Sequence, residues 1–82
     1  MNEVFAAEEL MSRTLKTAQA IAANAPIAVK QARQAIHRGL QMSLADGLAF
    51  EIEAYHRTIP TRDRREGVSA FVGKRSPEFK GE

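Results

Sequence analysis

Thr61–Gly81 reads TRDRREGVSAFVGKRSPEFKG, and it holds a helix start, an apolar strip, a basic end and a proline stop. Thr61 is placed to cap a helix, its hydroxyl accepting from a backbone N–H two or three residues on. Asp63 and Glu66 set negative charge against the first turn's unpaired donors. Val68, Phe71, Val72 and Arg75 recur at helical steps, so an apolar strip runs along one side while Arg64, Arg65 and Lys74 stay in water. Ser76-Pro77 is expected to end the helix near residue 75, because a proline ring disfavours helical geometry in the residue before it. A purely solvated glycine would gain stability from alanine, so Gly67 inside this helix predicts a close approach by another stretch of backbone.

Working outward, Ile59-Pro60 separates this helix from one predicted over 43–58. Ser43 followed by Asp46 resembles a capping box, and Leu44, Leu48, Ile52 and Tyr55 form the main stripe, flanked by Ala45, Ala49 and Phe50. That stripe is wide for a helix with one side in water, and Gly47 within it predicts a close crossing or a bend. Pro26 suits the first position of a helix over 26–40, where a missing N–H costs nothing. Its buried side is expected to be Ile27, Val29, Ala32, Ala35, Ile36 and Leu40. Over 7–23 the residues Ala7, Leu10, Met11, Leu15, Ala18, Ile21 and Ala22 mark another stripe. Met1 to Phe5 is an extended lead-in. No strand-like alternation or repeat occurs, so the fold class is all-α with about four helices in one domain, 1–82.

A chain of 82 residues buries only about 60–65% of the surface it exposes when unfolded, so its own core is marginal and an assembly partner is expected. Cysteine is absent, which excludes a disulfide framework and a thiolate metal site and fits a cytoplasmic protein. No apolar run approaches a membrane span, and the amino terminus lacks the pattern of a signal peptide. The net charge of +2 is small. Arg62, Arg64, Arg65, Lys74, Arg75 and Lys80 crowd toward the end, where an anionic group could be held, but neither strong charge nor interleaved aromatics point to nucleic acid.

The pattern Thr61-x-Asp63-x-x-Glu66-Gly67-Val68-x-Ala70-Phe71-x-x-Lys74-Arg75-x-Pro77-x-Phe79-x-Gly81 resembles the carboxyl-terminal signature of the enoyl-CoA hydratase (crotonase) family. Ala20-Ile21-Ala22-Ala23-Asn24-Ala25-Pro26, with Val29-Lys30 and Ala35-Ile36, resembles the helix pair that precedes it. Asn2-Glu3-Val4 is similar to the segment that joins the family's catalytic core to its helical end. The resemblance implies the helical last third of such an enzyme without its ββα core: an oligomer contact and partial lid, itself inactive. The parent would be a homo-oligomeric lyase hydrating 2-enoyl-CoA in fatty acid metabolism, with coenzyme A as part of the substrate and no separate cofactor.

The family's oxyanion-hole N–H groups and paired glutamates lie upstream of anything in this chain, so no catalytic residue is assigned. Glu51 and Glu53 point to different sides of a helix, and Glu8 and Glu9 are adjacent and exposed. His37 and His56 are lone histidines, and no metal site is assigned. Phe71 and Lys74 share a helix side. From the residues alone Phe71 is a core ring and Lys74 a solvated amine. The resemblance implies instead that they meet the nucleotide end of coenzyme A, the ring stacking on adenine and the ammonium meeting a phosphate. It also implies, more weakly, that Tyr55 lines the acyl end. A free-standing, self-associating all-α module is the other reading of the apolar stripes.

Overall fold

The computed structural model describes residues 3–82; Met1 and the Asn2 of the Asn2-Glu3-Val4 match lie outside them. Four helices follow in order, α1 (Ala7–Ala22), α2 (Pro26–Gly39), α3 (Leu44–His56) and α4 (Arg62–Val72), with no strand among the described residues. Their ends are set by local hydrogen bonds. The Asn24 amide donates to the Ala20 carbonyl at 3.1 Å, closing the end of α1, and Pro26 opens α2 from its first turn. Ser43 and Thr61 cap α3 and α4, accepting from the Asp46 and Arg64 N–H groups at 3.2 and 3.1 Å. An N-cap of this kind is worth about 1 kcal/mol.

The α4 helix ends at Val72 rather than near residue 75. The proline is not what stops it. Arg75 N–H reaches back to the Ala70 carbonyl at 2.9 Å and Lys74 N–H to the Phe71 carbonyl at 3.2 Å. This pair of bonds is a Schellman turn, with Lys74 at the position that must adopt left-handed geometry, and its φ is 52°.

Among the described residues α2 and α3 are the one pair of helices in extensive contact. Their crossing is close where glycines meet, since a methyl group at Gly47 would sit 3.6 Å from the Gly39 carbonyl oxygen. The face that α3 turns toward this crossing includes Gly47, half-buried Phe50 and buried Ala54. Arg57 ties the pair by donating to Gln31 on α2 at 3.2 Å and to Glu53 at 3.1 Å. Arg38 and Arg57 both lie over the Phe50 ring, at 5.7 and 5.8 Å.

The expected core is largely absent. Leu44, Leu48, Ile52 and Tyr55, the predicted main stripe of α3, are all more than half exposed. On α2 only Ile27, Val29 and Ala35 of the predicted buried side are even half-buried, while Ala32, Ile36 and Leu40 are exposed. On α1 the whole stripe is exposed and no residue is buried. The chain's accessible surface is 7015 Å², whereas a compact protein of its mass would expose about 4,900 Å². Its radius of gyration of 15.8 Å and extents of 42 × 39 × 18 Å describe a flat plate, against about 12 Å for a compact chain of this length.

Gly47→Ala tests the crossing. A Cβ at 3.6 Å is in ordinary contact, so helix propensity decides, and urea unfolding should show a gain of about 0.5–1 kcal/mol. Gly47→Val should instead separate α2 from α3 and lower stability.

Candidate functional site

The most ordered polar arrangement lies on α4, where two acids three residues apart face the chain's own last segment. Asp63 is buried, 3% exposed. One of its carboxylate oxygens accepts the Lys80 N–H at 2.8 Å and the other accepts the Gly81 N–H at 2.7 Å. The Asp63 N–H in turn donates to the Glu82 carbonyl oxygen at 3.0 Å. One helical turn on, Glu66 accepts the Glu78 N–H at 2.9 Å and a two-pronged bond from Arg75 at 2.5 and 3.0 Å. Residues 76–82 thus form a strap running back along α4 toward its start.

Every part of the strap has a physical reason. The Phe79 ring covers Gly67, where a methyl group would stand 3.5 Å from it. The partner predicted for Gly67 was backbone, and it is an aromatic side chain. Gly81 has φ +77° and lies against Pro26 at the start of α2. Only glycine takes that geometry without strain, and it lets successive N–H groups converge on Asp63. Asp63 and Glu66 read as simple helix-dipole acids in the sequence. The bonds they accept from the strap were missed there. The signal was an accounting one: donors following a proline stop need acceptors, and two acids on one side of the neighbouring helix supply them.

Arg75 holds the Glu66 carboxyl well below its usual range, at about 2, first through its hydrogen bond, with the Glu78 N–H acting second. The pairing in turn raises Arg75. Beside the strap is an open cleft of about 440 Å³ whose lining includes Arg62, Arg65, Ser69 and Lys80 together with four acids, so it has no single sign of charge. A second, more apolar groove of about 550 Å³ lies between α2 and α3, lined by Ala28, Ala32, Ala35, Ile36, Ala54 and Tyr55 among others.

The sequence-predicted residues fall in two places. Tyr55 is 58% exposed on α3 and lines the α2/α3 groove. Phe71 and Lys74 lie together in the turn that ends α4, joined by the Lys74 N–H bond to the Phe71 carbonyl. Phe71 is 85% exposed, so within this chain it is not a core ring. Lys74 carries a left-handed backbone that costs a non-glycine residue about 1–2 kcal/mol. Among the described residues no three His, Asp or Glu side chains converge on a point where a metal ion could sit.

The enoyl-CoA hydratase/isomerase family model matches residues 1–82. The chain belongs to the enoyl-CoA hydratase/isomerase family. YngF of Bacillus subtilis is 55% identical over 73 residues, which are 89% of this chain and 28% of that protein. The short-chain-enoyl-CoA hydratase of Clostridium acetobutylicum is 41% identical over 78 residues, 95% of this chain and 30% of the relative. A crystal structure of enoyl-CoA hydratase from Bacillus anthracis superposes with a TM-score of 0.93 at 44% identity, covering 96% of this chain and 31% of that one. The chain therefore spans under a third of the length of these hydratase-family relatives, and its four helices keep the arrangement of the matching part of a crotonase fold.

Two measurements test the strap. Asp63→Ala leaves the Lys80 and Gly81 N–H groups without their acceptor and should cost about 2–3 kcal/mol. Amide exchange at those two positions should become fast, while unchanged protection would contradict the assignment. Glu66 has its pKa lowered from 4.5 to about 2 on folding, so its contribution is fully present above pH 4.5 and is lost as pH falls toward 2. The chain's stability advantage over Glu66→Gln should accordingly hold from neutrality to about pH 4.5 and vanish by about pH 2.

Proposed function

We propose that this chain is the carboxyl-terminal helical portion of an enzyme acting on acyl-CoA thioesters, serving as an oligomer contact and a partial lid over the coenzyme A site. In this reading the parent enzyme is homo-oligomeric. Phe71 and Lys74 meet the nucleotide end of coenzyme A, and Tyr55 is placed toward the acyl end. The observation that carries it is the family match over the whole chain by a molecule that leaves its large apolar faces uncovered. The two hydratases named above are each about three times as long as the segment they share with this chain.

The exposed geometry supports the site assignment. A ring left in water at the end of a helix, next to an amine on a strained turn, is costly in isolation and is accounted for by a planar anionic ligand stacking on one and pairing with the other. The chemistry of hydration needs carboxylates that deliver proton and water to a polarised thioester. Asp63 and Glu66, the best-placed acids, are already occupied by backbone N–H groups and Arg75, so they are unsuited to that task. A cytoplasmic location belongs to the same reading, supported by the absence of cysteine, although a 48% identical mouse relative is named as mitochondrial. No helix of the described residues is long and apolar enough to cross a membrane.

A second reading, a free-standing module that associates with itself, is favoured by the uncovered stripe of α1. Incubating the chain with a short enoyl-CoA and following loss of the conjugated thioester's ultraviolet absorbance should show no turnover above buffer. Clear turnover would place the catalytic groups inside these residues and defeat the proposal. Sedimentation of the same sample separates the two readings: a discrete, tight oligomer favours self-association, and a monomer or polydisperse mixture favours a missing body.

A further inference from the structure

Lys74 is the one residue other than glycine with positive φ among the described residues. Such geometry persists only where the surroundings over-determine it. Here three restraints converge on it. The two turn bonds, from Arg75 N–H to Ala70 and from Lys74 N–H to Phe71, fix the backbone on either side. The third comes from Arg75, the residue directly after Lys74. Its planar guanidinium is gripped by both oxygens of Glu66, with Ser69 Oγ a further contact at 3.4 Å. A two-pronged arginine bond admits essentially one placement of the fork. Glu66 is itself fixed from the other side by the Glu78 N–H of the strap. Glu66 stays ionised throughout the neutral range, so the pair keeps both its charges there.

We propose that Glu66, acting through Arg75, is a positioning residue that holds Lys74 in its left-handed geometry, so that the Lys74 ammonium and the exposed Phe71 ring are presented together to an adenine nucleotide bearing phosphate. This rests on the reading of Phe71 and Lys74 as coenzyme A contacts. It adds that the recognition pair is preorganised by a grip on the far side of the same helix, made by side chains that do not touch the ligand. If Glu66 merely held the strap, its loss would lower stability without altering the turn at Lys74.

The test is a titration of the isotope-labelled chain with coenzyme A, followed by amide shifts at Phe71 and Lys74, with backbone order parameters measured in parallel. Glu66→Gln should weaken binding about three- to tenfold. The Lys74 order parameter should fall from the rigid value of about 0.85 toward about 0.6, with α2 and α3 unchanged. Arg75→Lys keeps the charge and the backbone N–H but lacks the fork, and should reproduce both changes if Glu66→Gln unfolds α4. The double variant should lose no more than either single one. Arg62→Gln, which breaks the strap's other ion pair, with Glu82, should leave affinity unaltered. Wild-type affinity or a rigid Lys74 in Glu66→Gln overturns the positioning role, as does an equal loss in Arg62→Gln. An unsubstituted chain whose Phe71 and Lys74 amides do not respond to coenzyme A overturns the reading of the site itself, and this outcome is visible before any variant is made.

Discussion

Uncovered apolar surface is the constraint from which the other features of this chain follow. The chain's total accessible surface of 7015 Å² exceeds that of a compact protein of equal mass by about 2,100 Å², comparable to what one side contributes to an obligate interface of roughly 4,000 Å², and fifteen large apolar side chains contribute to it. The cause is visible in α3. Gly47, Ala54 and the half-buried Phe50 face α2, whereas the bulky Leu44, Leu48 and Ile52 stay exposed. A helix apolar on two sides belongs between two layers, and this chain supplies one of them. With α1 standing apart as a 16-residue helix, near the length at which isolated helices are marginal in water, its order too calls for a surface to lie on.

Where apolar packing is thin, polar contacts of short reach organise the chain instead. The strap is the clearest case. A buried carboxylate is expensive unless its lone pairs are satisfied, and Asp63 meets this requirement with two N–H groups and no cation. Its place in the first turn of α4 adds the favourable field of the helix's positive end. Because Gly81 also lies against Pro26, the same hook brings the start of α4 near the start of α2. A hydrogen-bonded tail thus does for α4 part of what a core would do.

This division explains what the sequence disclosed. Helix positions were legible because caps and breaks are local: Thr61, Ser43, Pro26 and Ile59-Pro60 act within a few residues of themselves. The end of α4 was read too late. The proline rule looks only at the residue before Pro77, whereas the turn that stops the helix uses a lysine where glycine is usual, with Gly73 one position earlier. Burial was misread because periodicity reveals that a helix has an apolar side but not whether a neighbour covers it. The bonds from Asp63 and Glu66 to the strap were hidden for a different reason. They join acids on a helix to backbone donors twelve to eighteen residues away, and backbone donors carry no mark in a sequence.

The two halves meet at the end of α4. Its first turns are tied down by the strap, its end carries a bare ring and a lysine on a left-handed backbone, and a single carboxylate, Glu66, belongs to both. The backbone geometry there is not set by burial, since Phe71 and Val72 are both more than three-quarters exposed. It is met by a bidentate ion pair and two backbone bonds made in open solvent. A surface ion pair ordinarily contributes little to stability, so its value here lies in direction: it sets where a neighbouring backbone points while leaving the groups that point outward free to be covered by something else.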